Sequence, residues 1–193
     1  MNWPARLALL PALLYALVPS PAEAETPDSL EAVRELYLAA VQEESAIPRG
    51  LQAILELRAS GAAPTGGTTD VVLSAYEGAL ITLRAKHGFW PPDRLRHLRE
   101  GLGILDQAVA ARPEHPEIRY LRLLSCYFLP GILGRGGSVR EDFGALARLL
   151  PSARDAFAPD LYRMMVAFVL EHGALEAPEL ERLQDAVDPE DDG

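Results

Sequence analysis

Apolar residues recur three or four positions apart along nearly the whole chain. Leu95, Leu98, Leu102, Leu105 and Val109 form one such row, and Tyr76, Ala79, Leu80 and Leu83 form another. That spacing lines one face of an α-helix, whereas a half-buried strand alternates every second residue. No later segment sustains strand-type alternation between hairpin turns, so an all-α chain is expected.

The periodicity predicts eight helices, over residues 28–44, 49–60, 70–86, 92–112, 116–128, 139–150, 159–172 and 176–187. Punctuation supports the borders: Asp70 or Thr69 as an N-cap, Pro116 and Pro159 near first turns, and Gly61, Gly88 and Gly173 as stops. The stretch SGAAPTGGTTD, Ser60 to Asp70, reads as a surface loop rather than a domain linker, because two helices alone make a poor core. Short connections favour antiparallel helix pairs packed side by side.

The first residues carry a different signal. Arg6, an apolar run from Leu7 to Val18 and then Ala22-Glu23-Ala24 have the layout of a secretory signal peptide cleaved near Ala24. The apolar run falls short of the ~20 residues that span a bilayer. Three segments are expected: a signal peptide at 1–24, one helical domain at 25–184 and an acidic, disordered tail at 185–193. The expected location is the periplasm or the medium beyond it, with no integral membrane span. A single cysteine, Cys126, leaves stability to the core, since no intramolecular disulfide can form.

Within the helical part, Gly101, Leu105, Ala108 and Pro113 resemble the second half of a tetratricopeptide repeat, in which small, large apolar, small and proline residues recur at that spacing. The likeness implies a single domain of stacked antiparallel helix hairpins. It is partial: the insertion HGFWPPD precedes the matching helix, and Leu123 stands where the repeat has a small residue. The segment 79–142 also resembles a family of exported bacterial proteins without an assigned activity. The shared pattern is Ala85-Lys86-His87-Gly88-Phe89-Trp90-Pro91, then Glu117-Ile118-Arg119, Leu121-Arg122, Pro130, Leu133-Gly134 and Glu141-Asp142.

The net charge of −10 argues against a nucleic-acid partner. GILGRGGS, Gly131 to Ser138, lacks the lysine of the phosphate loop GxxxxGK[ST], and the helix-forming segment before it is not the strand that such a loop requires. Glu44-Ser45 with Gly50-Leu51-Gln52 is too closely spaced for the catalytic pattern of lytic transglycosylases. The four histidines show no metal-ligand spacing, and no cofactor is implied.

Two charged groups remain. The helix at 116–128 is apolar nearly all round, yet it carries Arg119 and Arg122 one turn apart. Buried guanidinium groups need carboxylates, and Glu141 with Asp142 at the start of the next helix are the best placed. The four residues are expected to form a structural ion cluster or, alternatively, a pocket for a small anionic ligand or an enzyme site. The second group is a basic island, Arg84, Lys86, Arg94, Arg96 and Arg99 against Asp93 and Glu100, with Phe89 and Trp90 at its turn. Lys86, His87, Phe89, Trp90 and Arg135 are the candidate contacts for a partner or an anion. The function expected from these features is a non-catalytic interaction module for a protein or peptide.

Overall fold

The computed structural model describes residues 29–187. Among these residues the chain forms eight α-helices and no strand: α1 (Leu30–Gln42), α2 (Ala46–Ala59), α3 (Thr68–His87), α4 (Pro91–Ala111), α5 (Pro116–Tyr127), α6 (Gly136–Leu149), α7 (Pro159–His172) and α8 (Ala177–Val187). The segment 1–24 and the acidic end from 188 lie outside the described residues. Asp185 to Val187, where the expected last helix and the expected tail overlap, belong to α8. No described helix is long and apolar enough to cross a membrane.

Local chemistry accounts for the ends. Ser29 caps α1 by accepting from the Ala32 amide at 3.3 Å, while α4, α5 and α7 each begin with proline, whose missing N–H would have had no helical partner there. At the end of α3, Arg84, Lys86 and His87 place cationic or polar donors against the negative end of the helix dipole. Most borders shift by one to three residues from the sequence reading, and three of the shifts have a local cause. Pro48 is accommodated in the first turn of α2, which therefore starts at Ala46. Gly67, not Asp70 or Thr69, caps α3, and the Asp70 carboxylate instead accepts from Arg58 Nε at 3.0 Å and the Gly66 amide at 2.8 Å. The helix α6 starts at Gly136, so the glycine-rich octapeptide splits into a 3-10 turn over Gly131–Leu133, a left-handed Gly134 with φ of 70° and the first residues of a helix.

The interior has two apolar regions with α5 between them. The first is built from α1 to α4 around α3, with Ile47, Ile54, Leu73, Leu80 and Leu105 fully buried. The second gathers Phe143, Leu146, Leu150, Met165, Val169 and Leu183 from α6 to α8. Helix α5 serves both, sending Ile118, Leu121 and Cys126 into the first and Tyr120 and Leu123 into the second. Because every face of α5 is occupied, its polar side chains have almost no route to water.

The most extensive helix pairing is α3 against α4, and its closeness rests on two glycines. A Cβ on Gly101 would stand 2.4 Å from the Gly78 carbonyl oxygen, and one on Gly78 would stand 2.8 Å from the Gly101 carbonyl oxygen. These neighbours are backbone, so the helices themselves would have to part. Gly103, two residues on, faces open space with no atom within 4 Å of the added Cβ. Gly101→Ala is expected to cost about 1–3 kcal/mol through overpacking, whereas Gly103→Ala should gain up to about 1 kcal/mol from helix propensity. Urea denaturation of the two variants measures the contrast, and equal effects would contradict the assigned crossing.

Candidate functional site

Helix α5 presents Arg119 and Arg122, spaced i and i+3, toward α6. Each has only about 7% of its side chain exposed. Arg122 embraces Asp142 side-on, with Nε 2.8 Å from Oδ2 and Nη2 2.7 Å from Oδ1. Its Nη2 also reaches Glu141 Oε2 at 2.9 Å, and its Nη1 lies 3.3 Å from Asp106 Oδ1. Arg119 Nη1 donates to Glu141 Oε1 at 2.7 Å and to Asp142 Oδ1 at 3.0 Å, while its Nε donates to the Pro113 carbonyl at 2.8 Å. Arg135, just before α6, closes the group with Nη2 at 2.9 Å from both oxygens of Asp106.

Three guanidinium groups thus face three carboxylates. Asp142 is fully buried, whereas Glu141 keeps about half of its side chain in water. The bond from Arg119 holds the Glu141 carboxyl below its ordinary range against the opposing effect of burial, and the bond and charge of Arg122 add to the lowering. For Arg122, burial alone favours the neutral form, but the bonds to Asp142 and Glu141 outweigh it and the net direction is upward. These bonds fix α6 on α5. All three nitrogens of Arg122 are engaged, whereas Arg135 Nε is buried without a hydrogen-bond partner.

On the opposite side of α5 a second network appears. Glu117 is 1% exposed. It accepts from Arg34 Nε at 2.7 Å and Arg34 Nη2 at 2.9 Å, and from the Tyr76 hydroxyl at 2.6 Å. Burial first, and then the neighbouring Glu117 carboxylate, push the Tyr76 phenol well above its ordinary value. The two networks tie α5 to α1 and α3 on one side and to α6 on the other.

The remaining candidates part company. Lys86 Nζ donates to the Val41 carbonyl at 2.5 Å, and His87 Nε2 lies 2.9 Å from the Ala40 carbonyl, so both close the end of α1. Phe89 and Trp90 project outward at the turn between α3 and α4, Phe89 being 95% exposed. The thiol of Cys126 is buried, and that burial raises its pKa despite the nearby Arg135 guanidinium, as expected of a packing residue and not a nucleophile. Among the described residues no three of His, Cys, Asp and Glu gather as a metal-ligand set.

Beside the turn Gly131–Leu133 lies a half-open groove of about 410 Å3. Its floor is the face of α4 carrying Leu95, Leu98, Leu102 and Gly103, and its wall is Ile132 and Leu133. Sequence reasoning did not reach this groove, because Ile132 reads as one apolar residue in a glycine-rich loop. It also missed Asp106, Arg34 and Tyr76 as partners, since each comes from a helix distant in sequence.

The class defined by this fold and site is an all-helical protein of one body, with a buried ion network at its central helix. Comparison with family models, curated protein sequences and solved structures returned no match.

Removing one partner of the buried group should cost far more than a surface pair would. Arg122→Ala and Asp142→Ala are each expected to lose about 3–5 kcal/mol, because each leaves a charge buried and uncompensated. The double variant should lose less than the sum by about 0.5–3 kcal/mol; additive losses in chemical denaturation would contradict the pairing. The lowered Glu141 value also sets a pH dependence. Its contribution is fully present above the ordinary glutamate pKa of about 4.3 and is lost as pH falls through the lower folded value. Glu141→Gln should flatten that acid limb.

Proposed function

We propose that the chain is an exported helical interaction module, with tetratricopeptide-like stacking of its hairpins, that binds a protein or peptide partner in the cell envelope. The observation that carries this reading is the concentration of large apolar side chains on two turns at one end of the bundle. Phe89 and Trp90 sit on the α3–α4 turn. Phe128 and Ile132 sit on the crossover that follows α5, which runs back antiparallel to α4 and brings Ile132 beside Leu95 and Leu98. Phe128 is 73% exposed and Ile132 94%. Isolated exposed apolar residues are ordinary on protein surfaces; Phe128 packs edge-on against Tyr127 and Phe168, which leaves Phe89, Trp90 and Ile132 as the apolar side chains offered to a partner.

The pairing of Arg119 and Arg122 with Glu141 and Asp142 supports this reading over a small-anion pocket built on the same residues. A ligand there would have to pull Asp142 out of a fully buried site, at the cost of breaking a hydrogen-bonded pair.

A photo-crosslinking residue placed at Phe89, Ile132 or, as an exposed control on α2, Leu55 tests the proposal in intact cells. Discrete adducts from the first two positions and none from Leu55 are expected. The same adducts from all three positions, or none from any, would count against it.

A further inference from the structure

We infer that the groove between α4 and the Gly131–Leu133 turn takes one amphipathic helical segment of a partner, apolar on the face that enters and acidic on the flank. This inference rests on the interaction reading above and specifies its site and the chemistry of the occupant.

The floor supplies the shape. Leu95, Leu98 and Leu102 follow one another at three- and four-residue intervals along α4; Leu102 is buried in the first core and Leu98 packs against it, and the edges they leave toward the groove, with Leu95, form a row that can receive side chains of an incoming helix at i, i+3, i+4 and i+7. Gly103 continues that face without a side chain, and nothing stands within 4 Å of where its Cβ would be. A bare backbone at this point lets an anchor side chain approach α4 closely. Opposite, Ile132 stands almost wholly in solvent on a short 3-10 turn, ready to cover an inserted side chain.

Charge selects the occupant. Three charged residues line the groove: Arg99, Asp106 and Arg135. Arg135 and Asp106 neutralise each other through two contacts of 2.9 Å, and Asp106 also faces Arg122. Arg99 has no ion-pair partner among the described residues, whereas nearby Arg96 is paired with Asp93 and Arg94 donates to the Ala85 carbonyl, so the excess charge at the groove is that of Arg99. The net positive rim on a chain of charge −10 favours a carboxylate-bearing segment and disfavours a basic one.

The probes are two fluorescein-labelled helical peptides with leucine at i, i+3, i+4 and i+7, one flanked by glutamates and the other by lysines. They are titrated against the full chain and two variants, Gly103→Met and Arg99→Glu. The glutamate peptide is expected to bind about tenfold more tightly than the lysine peptide, a difference that high salt reduces. Gly103→Met should weaken it about tenfold by filling the floor, with a urea midpoint no lower than that of the parent chain, because the site is open and the added side chain favours the helix. Arg99→Glu should reverse the preference and serves independently if Gly103→Met proves unstable.

Equal binding of the two peptides, or no effect of either variant, overturns the inference. Binding to anionic phospholipid vesicles without peptide binding, or self-association abolished by Gly103→Met, overturns it in favour of another occupant. Partner adducts from Phe89 but not from Ile132 would remove the groove and leave the interaction reading standing. Adducts from neither position would remove both.

Discussion

Two arginines buried on one face of α5 constrain much of the structure around them. Taking a guanidinium out of water costs several kcal/mol unless carboxylates meet it with good geometry. Arg119 and Arg122 therefore require α6 to return with Glu141 and Asp142 at the right level, and the crossover from Phe128 to Arg135 is the device that does so. The left-handed Gly134 belongs to that device, because the turn it makes is one that a side chain would oppose. The 3-10 turn that builds the groove wall is thus a by-product of the path that satisfies the buried charges.

The apolar interior is organised around the same helix. Ile118 and Leu121 face the core of α1 to α4, and Tyr120 and Leu123 face that of α6 to α8. Neither core contains all of α5, and each lends it burial on one side. Glu117 and its partners Arg34 and Tyr76 lock the first side as the arginine cluster locks the second. On this account the ion networks specify how the two halves meet more than they add net stability, since buried pairs often gain little over apolar replacements.

All eight helices were legible in the sequence, because a 3.6-residue period survives any detail of tertiary packing. Their ends were less so. Gly136 and Gly137 look like loop residues locally, yet α6 includes them, its first bond running from the Val139 amide to the Arg135 carbonyl at 3.1 Å. Pro48 looks like a break but sits where the helix has no N–H bond to lose. At the site, Arg119 and Arg122 were legible because charge on an otherwise apolar helix demands an explanation, and the nearest acidic pair stood at the head of the next helix. The structure brings those four together. Asp106 and Arg34 carried no such signal, since each lies on an amphipathic helix where a charged residue needs no partner. The roles of Lys86 and His87 at the end of α1 depended on a contact across more than forty residues that no local pattern encodes.

The central claim is that α5, with its two charge networks, makes the halves one cooperative unit. Native-state hydrogen exchange of the full chain tests this most directly, by comparing the slowest amides of α3 with those of α6 and α7. The account predicts that both sets open with the same free energy, equal to that of global unfolding. Opening of α6 to α8 at a distinctly lower free energy, while α3 stays protected, would contradict it.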